Sequence, residues 1–293
     1  MLSGCSWIAQ LTGRYSTESR ELSNRAQQAE DKGQFQTASR LLEKAIQADP
    51  SNPELHKKLA NNHLKMGNRT AAAEQLRYAI AAQPDDVESY VKLARIFYQR
   101  RDYNRAEQAV QVALRHDPTD IDALMIQAQL HERRQEFSSA TNAYHRILEA
   151  EPENSKAKLR LAHFQLKSQQ PDKAALLLRS VCNCDQTNPV DKANAYWALG
   201  LAYKNLERWD DSATALANAL KYIHQPTAEE WYQLASVRFQ AGDVQQAERD
   251  LLEALKRDPN HPHALKLAQA IRSRRIAPNS GPVRFASNTN PPS

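Results

Sequence analysis

The chain has 293 residues, of which 41% are hydrophobic and 25% are charged, with seven glycines and a mean hydropathy of −0.72. So few glycines argue against glycine-rich nucleotide-binding loops and against an all-β chain of tight turns, and they favour helices. No apolar stretch approaches the roughly 20 residues that a membrane-spanning helix needs. The net charge of +5 arises from 39 basic and 34 acidic residues that are interleaved along the chain. Such mixing is typical of solvated amphipathic helices and argues against a nucleic-acid-binding stripe.

The N-terminal residues Leu2-Ser3-Gly4-Cys5 resemble the lipobox at which bacterial lipoprotein precursors are cut and the cysteine is acylated. A signal peptide needs about 7 to 15 apolar residues before the cleavage site, whereas only four residues precede Cys5. A misassigned start, a trimmed signal and a chance match are all consistent with this. If Cys5 is acylated, we expect a lipid-anchored protein on the periplasmic side of the bacterial cell envelope, with residues 1–18 as a tether. Without acylation we expect a cytoplasmic protein.

A repeat of 34 residues runs through the chain. It is marked by Pro50, Pro84, Pro118 and Pro152. Twelve residues before these prolines lie Ala38, Ala72, Ala106 and Ala140. Apolar residues recur at intervals of three and four in both halves of each repeat, which predicts two amphipathic helices, and Gly33, Gly67 and Gly242 lie where a first helix must end. One helix pair cannot bury its apolar face alone, so about three or more stacked repeats are needed for stability.

The later repeats carry the fullest motif. It reads Tyr196-x2-Leu199-Gly200-x2-Tyr203 in one repeat, and Trp231-x2-Leu234-Ala235, Ala247-x3-Leu251 and Pro259 in the next. In these residues the chain resembles the tetratricopeptide-repeat family, whose unit reads W-x2-L-G-x2-Y, then A-x3-F, then P. The resemblance implies an all-α fold: a right-handed superhelical solenoid of about seven helix-turn-helix repeats with a C-terminal capping helix.

The repeats are expected to begin near residues 19, 53, 87, 121, 155, 193 and 228, and the solenoid to span residues 19–261. The fifth interval is four residues longer than the period, and the surplus falls in residues 181–191. A capping helix is predicted at 262–275 because one apolar stripe there lies on an otherwise polar helix. Residues 276–293 are rich in Pro, Asn and Ser, which predicts a disordered tail.

No residue constellation for catalysis stands out from the repeat. The sequence has no P-loop, no G-x-G-x-x-G and no G-x-S-x-G motif. His131-Glu132 begins like a zinc-protease helix, but Gln135 stands where the second histidine is required. Cys182 and Cys184 are interpreted as free thiols in a linker, with chelation or a strained disulfide as the alternative. We therefore expect a protein that is not an enzyme and has no cofactor and no metal site.

The resemblance implies protein binding, with the first helices lining a concave groove for a partner's peptide or helix. The residues that it places in the groove are Lys57, Asn61, Lys65, Lys92, Arg95, Tyr98, Arg160, His163, Trp197, Leu201, Tyr232 and Phe239. This set is basic in the earlier repeats and apolar in the last two, so the expected ligand is an acidic segment with an aromatic or aliphatic anchor. A five-residue carboxylate clamp known in the family is matched only by Lys57 and Asn61.

The leading hypothesis is a non-catalytic protein–protein interaction scaffold, with a role in assembling a cell-envelope complex. The alternative is an accessory structural subunit of an enzyme or of a pilus or secretion machine, docked through its convex face. We expect no nucleic-acid partner, and contact with a membrane only through a lipid anchor.

Overall fold

The computed structural model describes the backbone of residues 4–276 and the side chains of residues 17–273. Residues 4–276 form fifteen α-helices and contain no strand, which confirms the all-helical fold. The helices of the first four repeats are α1 (Gly4–Asp31), α2 (Phe35–Ala48), α3 (Pro53–Lys65), α4 (Arg69–Ala82), α5 (Val87–Gln99), α6 (Tyr103–His116), α7 (Ile121–Arg133) and α8 (Phe137–Ala150). They are followed by α9 (Ser155–Lys167), α10 (Pro171–Asn183), α11 (Pro189–Asn205), α12 (Trp209–Tyr222), α13 (Ala228–Ala241), α14 (Val244–Arg257) and α15 (Pro262–Ile276).

Several helices begin at a residue whose side chain accepts a backbone hydrogen bond. The Asp102 carboxylate accepts from the backbone N–H of Arg105, and that of Asp120 accepts from the N–H of Ala123. Thr227 and Glu230 form a capping box at the start of α13. These bonds satisfy donors that a helix N-terminus otherwise leaves unpaired.

The four surplus residues of the fifth repeat interval lengthen a helix. Helix α11 has 17 residues, whereas the first helices α3, α5, α7 and α9 have 13 each. Asn188 caps α11, and Pro189 occupies its first turn, where a missing N–H costs nothing. The insertion therefore adds about one helical turn before the motif residues of that repeat begin.

The helices divide into two compact units, an N-terminal unit (Met1–Ala150) and a C-terminal unit (Glu151–Ser293). In the N-terminal unit each helix packs against the next one along the chain from α1 to α8, and α5 also contacts α7. In the C-terminal unit the helices from α9 to α14 pack in the same sequential way, and α15 contacts both α13 and α14. Each repeat thus contributes one helix pair, and the buried faces of successive pairs form a continuous core within each unit.

Small residues lie where the two helices of a pair approach most closely. Those on first helices are Ala60, Ala94, Ala128, Ala162, Gly200 and Ala235, and all of them are buried. Those on second helices are Ala38, Ala72, Ala106, Ala140, Ala174, Ser212 and Ala247, each with no exposed surface. Ser212 is tolerated in this buried row because its hydroxyl donates to the carbonyl of Gly200 at 2.7 Å.

Three predictions concern the chain ends. Residues 1–18 were expected to be a tether. Of these, residues 4–18 lie in helix α1, while the Cys5 side chain lies outside the described residues. The predicted tail lies outside them too from residue 277 onwards. Helix α15 occupies the region for which a capping helix was predicted. No helix in the described part of the chain has the length and apolar character of a membrane span.

Candidate functional site

The first helices of successive repeats form a layer within each unit. Helix α5 contacts α7 in the N-terminal unit, and in the C-terminal unit α9 contacts α11 and α13 contacts α15. This first-helix surface carries most of the side chains that were predicted to line a groove. Its character differs between the two units.

In the N-terminal unit the predicted groove cations are engaged in ion pairs. The pairs between repeats are Lys65–Glu30 at 2.6 Å, Arg95–Asp122 at 2.8 Å and Lys57–Asp86 at 3.7 Å, and Lys92 pairs with Glu88 on its own helix. Burial acts to lower the pKa of Lys57, but the hydrogen bond to Glu54 and the charge of Asp86 outweigh it, so the pKa is raised. These four cations therefore have carboxylate partners in the neighbouring repeat or on their own helix, which leaves little unbalanced positive charge for an acidic ligand.

The remaining predicted residues of the earlier repeats are half-buried or exposed. Asn61 is half-buried, and the ring of Tyr98 packs edge-on against Tyr103 with centroids 5.6 Å apart. The exposed guanidinium of Arg133 hydrogen-bonds Tyr98, which raises the pKa of Arg133. In the C-terminal unit, Arg160 and His163 are exposed on α9.

The first-helix surface of the C-terminal unit carries an apolar patch with a lysine beside it. Trp197, Leu201 and Lys204 follow one face of α11 at intervals of four and three, and all three are half-buried. Trp197 packs against the buried cluster of Leu216 and Val237. We call Trp197, Leu201, Lys204 and Tyr232 the tryptophan–lysine patch.

Lys204 lacks a direct carboxylate partner among the described residues. Its ammonium group donates to the amide oxygen of Gln233 at 3.3 Å, and the amide nitrogen of Gln233 donates in turn to Glu229. Burial lowers the pKa of Lys204, and the charge of Glu229 opposes this effect only in part. The patch thus holds a partly desolvated cation, which favours a site that takes an anionic group.

Tyr232 lies against two imidazoles at the start of α15. Its ring centroid is 5.4 Å from that of His261 and 5.7 Å from that of His263, and burial raises the pKa of Tyr232. Both ring nitrogens of His261 have partners. Nδ1 accepts a hydrogen bond from the backbone N–H of Ala264, and Nε2 lies 3.0 Å from a carboxylate oxygen of Glu229. The Nδ1 bond requires the tautomer in which Nε2 carries the proton and donates to Glu229.

Lys204 and the two histidines were not singled out from the sequence. Lys204 occupies a repeat position that was assigned to the groove, but its partial burial depends on α13, which follows more than twenty residues later. The run His261-Pro262-His263 was assigned to the cap, and its contact with Tyr232 depends on how α15 packs.

Phe239 requires a correction, because it does not line an open surface. Its side chain is 1% exposed and packs with Leu251, Leu267 and Ile271 of α14 and α15. Helices α14 and α15 cover Phe239 in the last repeat, so this residue belongs to the core. The patch therefore excludes Phe239.

The cysteine prediction is also corrected. Cys182 lies within α10 and is buried in the core of the C-terminal unit, where burial raises the pKa of its thiol to about 12. Cys184 caps the C-terminus of the same helix and is half-buried. Both are free cysteines, but Cys182 behaves as a core residue and its thiol stays protonated at neutral pH.

Within the described residues no group of three or more His, Cys, Asp or Glu side chains is arranged to hold a metal ion. The fragment that begins like a zinc-protease helix is engaged otherwise, since His131 Nδ1 lies 2.6 Å from Glu136 and Glu132 accepts from the Tyr144 hydroxyl at 2.6 Å. These contacts join α7 to α8 and to the turn between the two helices.

The fold and its buried small-residue rows define an α-helical repeat protein built from stacked helix pairs. Models of the tetratricopeptide repeat match residues 57–121, residues 29–77 and 133–199, and residues 228–261, which together make up more than half of the chain. The chain therefore belongs to the tetratricopeptide-repeat family. Membership of this family points to a protein-interaction scaffold.

Solved structures of similar fold agree with this assignment. A tetratricopeptide-repeat protein from Parabacteroides merdae is 16% identical with a TM-score of 0.59, over 87% of this chain and 99% of that one. PilF from Pseudomonas aeruginosa is 15% identical with a TM-score of 0.61, over 76% of this chain and 98% of that one. At such low identity the likeness concerns the fold alone. A search of curated proteins gives no match.

Proposed function

We propose that this protein is a non-catalytic scaffold that binds a peptide or helix of a partner protein at the tryptophan–lysine patch of the C-terminal unit. The observation that carries the proposal is the alignment of half-buried Trp197 and Leu201 with the partly desolvated Lys204 on one face of α11. Aromatic side chains on a partly dry surface are the usual centres of protein-binding energy.

The chemistry of the patch describes its ligand. An apolar side chain of the partner would pack on Trp197 and Leu201, and a carboxylate next to it would pair with Lys204. The first-helix surface of the N-terminal unit is a weaker candidate, because its predicted cations already have carboxylate partners. We therefore propose a ligand that carries one carboxylate beside an apolar anchor.

Peptides selected from a random displayed library against the whole protein would test this site. Their affinities would be measured by fluorescence anisotropy for the wild type, Trp197→Ala and Lys204→Met. We expect Trp197→Ala to weaken binding by about tenfold or more, and Lys204→Met to reduce the preference for peptides with a carboxylate.

Leu176→Ala is the matched control, since Leu176 lies on the second helix α10 and is 64% exposed. It should leave binding unchanged. Circular dichroism would show that helicity is retained in each variant, and Lys204→Met keeps the test valid if Trp197→Ala loosens the core. Selected peptides that bind all three variants as tightly as the wild type would refute the patch.

Anchoring at the cell envelope through Cys5 is a separate proposal that rests on the Leu2-Ser3-Gly4-Cys5 sequence alone. Cells that express the gene from a start upstream of Met1 would be labelled with a palmitate analogue. Label on the wild type and none on Cys5→Ala would support anchoring. An unlabelled wild type that stays in the cytoplasm would end it.

A further inference from the structure

The N-terminal unit contains a cleft that the proposed function does not use. It lies between α6, α7 and α8 and has a volume of about 400 Å³. Its walls are Gln111, Leu114 and Arg115 of α6, Gln127 of α7 and Arg146 of α8. Four polar side chains thus surround one leucine, and none of the five lining residues is acidic.

Both arginines are exposed, and each hydrogen-bonds a backbone carbonyl. Arg146 donates from Nη2 to the carbonyl of Pro118 at 2.6 Å, which ties α8 to the loop before α7. Arg115 donates from Nε to the carbonyl of Gln111 in its own helix at 3.4 Å. A carbonyl carries no net charge, so neither bond neutralises a guanidinium, and each guanidinium keeps further N–H donors.

A neighbouring arginine, Arg134, differs from these two because it is paired with a carboxylate. Arg134, at the end of α7, makes two hydrogen bonds of 2.6 and 2.9 Å to the carboxylate of Glu107, and that bond raises the pKa of Arg134. Arg115 and Arg146 have no such carboxylate partner among the described residues. The two cleft arginines therefore differ from Arg134 in that no carboxylate of the cleft lining balances their charge.

The acidic residues of the adjacent loop are engaged locally. Asp117 accepts from the backbone N–H and the hydroxyl of Thr119 at 2.9 and 2.8 Å, which lowers the pKa of Asp117. Asp120 caps α7 through the N–H of Ala123 at 2.7 Å. Neither side chain lines the cleft.

The C-terminal unit has a cleft at the equivalent place in the repeat, between α12, α13 and α14, with a volume of about 330 Å³. Leu220 and Lys221 occupy the repeat positions of Leu114 and Arg115. Here Arg238 pairs with Asp250 through bonds of 2.6 and 2.8 Å, so its charge is balanced within the cleft. Lys221 of this cleft donates to the amide oxygen of Asn218 at 2.8 Å, so the C-terminal cleft holds two cations and one carboxylate. The clefts arise from the repeat, but of the two only the cleft of the N-terminal unit has no carboxylate in its lining.

We propose that the cleft of Arg115 and Arg146 binds the carboxylate of an acidic side chain from a partner protein, with an adjacent apolar side chain of that partner packed on Leu114. Guanidinium groups match a carboxylate with paired N–H donors, which gives both strength and orientation. The amides of Gln111 and Gln127 supply further donors at the rim. This site lies on a different helix surface from the tryptophan–lysine patch, so either site can fail without the other.

The test measures the binding of a fluorescein-labelled pentapeptide of sequence Glu-Glu-Leu-Glu-Glu to the whole protein. Binding is measured by fluorescence anisotropy at low ionic strength. The test variant is Arg115→Gln with Arg146→Gln. The control variant is Arg40→Gln with Lys44→Gln, which removes the same two charges from exposed positions on the second helix α2. We expect the dissociation constant to rise about tenfold or more in the test variant and less than about twofold in the control.

A Gln-Gln-Leu-Gln-Gln peptide should not bind, and inorganic phosphate should compete only weakly. Equal weakening in both variants would show general attraction by net charge and would overturn the proposal, as would no binding of the glutamate peptide to the wild type. Binding of phosphate more tightly than of the peptide would also overturn it, because the ligand would then be a phosphate group. If the double variant fails to fold, Arg115→Gln alone replaces it, since Arg115 is exposed and its hydrogen bond to Gln111 stays within one helix.

Discussion

At the scale of single residues, the turn between the two helices of a repeat shows what the backbone demands. One residue in each of these turns adopts a left-handed conformation. It is glycine at Gly33, Gly67 and Gly242, with φ of 72°, 79° and 88°. It is a larger residue at Arg101, Gln135, Gln169 and Glu207, with φ between 56° and 61°. The left-handed turn is therefore formed both by glycine, which adopts this conformation readily, and by larger residues, which do not.

These turns predict opposite effects for two substitutions. Gly67→Ala should lower the free energy of unfolding by about 1 kcal/mol, since a left-handed conformation disfavours a Cβ atom. A Cβ at Gly67 would meet no atom within 4 Å, so the loss is conformational and not steric. Gln135→Gly should raise the free energy of unfolding by up to about 1 kcal/mol, reduced by the entropy that glycine loses on folding. Urea unfolding measures both, and changes of the same sign would contradict the prediction.

A second prediction at this scale concerns Lys204. Burial lowers the pKa of its ammonium group in the folded protein, so the charged form destabilises the fold at neutral pH. Lys204→Met should therefore melt at a higher temperature than the wild type at pH 7. The difference in melting temperature between the two proteins should be largest below the pKa that Lys204 has in the folded protein. It should shrink as the pH rises towards the ordinary lysine pKa of 10.5, and it should vanish above that value.

Melting curves of both proteins from pH 7 to pH 10.5 test this dependence. A lysine that costs stability yet remains on an apolar patch is expected when the residue serves binding. A lower melting temperature of Lys204→Met at pH 7 would show that the Gln233 contact outweighs the burial, and would contradict the prediction.

At the scale of elements, helices α11 and α12 pack closely at Gly200. A Cβ built on Gly200 would lie 2.6 Å from both Cγ and Cδ2 of Leu216, closer than real side chains approach. The six other repeats carry alanine at this position, among them Ala26 and Ala94, both buried. The sequence predicts that the position is small, but only the packing shows that in this repeat alanine is already too large.

Gly200→Ala should therefore lower the free energy of unfolding by about 1–3 kcal/mol, although alanine favours a helix by about 1 kcal/mol. The clash is with a side chain that can be shortened, so the loss should shrink in a Leu216→Val background. A double-mutant cycle by urea unfolding measures that coupling. A gain in stability on Gly200→Ala in the wild-type background would show that Leu216 moves aside freely.

Ion pairs between elements explain why the candidate site was only partly predictable. The expectation that Lys57, Lys65 and Arg95 lie on the first-helix surface follows from helical spacing, because three and four residues return to the same face. Their carboxylate partners, Asp86, Glu30 and Asp122, come from the neighbouring repeat, and about one period separates members of each pair. A sequence pattern identifies the face of a helix, whereas the approach of two side chains depends on how the helices pack.

At the scale of the whole chain, helix α15 closes the core of the C-terminal unit. Its Ala264, Leu267 and Ile271 are buried against a cluster that includes Phe239 and Leu251. Terminal helices that cover the last apolar face are required in repeat proteins, since each repeat depends on its neighbours for burial.

A chain that ends at Asn260 lacks this helix, and the apolar surface of α13 and α14 becomes exposed. We expect the C-terminal unit to lose on the order of 3–5 kcal/mol of stability, and the amides of α13 and α14 to exchange with solvent faster. Hydrogen exchange measured by mass spectrometry tests this. A chain that ends at Ile276 is the control and should behave as the full protein does. Equal protection of α13 in the two shortened chains would contradict the capping role.

The sequence by itself determined the helical class, the 34-residue period and the membership of a binding family, because glycine, proline and the spacing of small and apolar residues act within one or two helical turns. Only the tertiary structure decided that Phe239 and Cys182 are enclosed, and that the predicted groove cations of the N-terminal unit pair with carboxylates. It also decided that Lys204, Arg115 and Arg146 hydrogen-bond uncharged oxygens and have no carboxylate partner among the described residues. The physical reason is that burial and charge compensation depend on neighbours one repeat away. Identical repeat positions therefore face different surroundings in successive repeats.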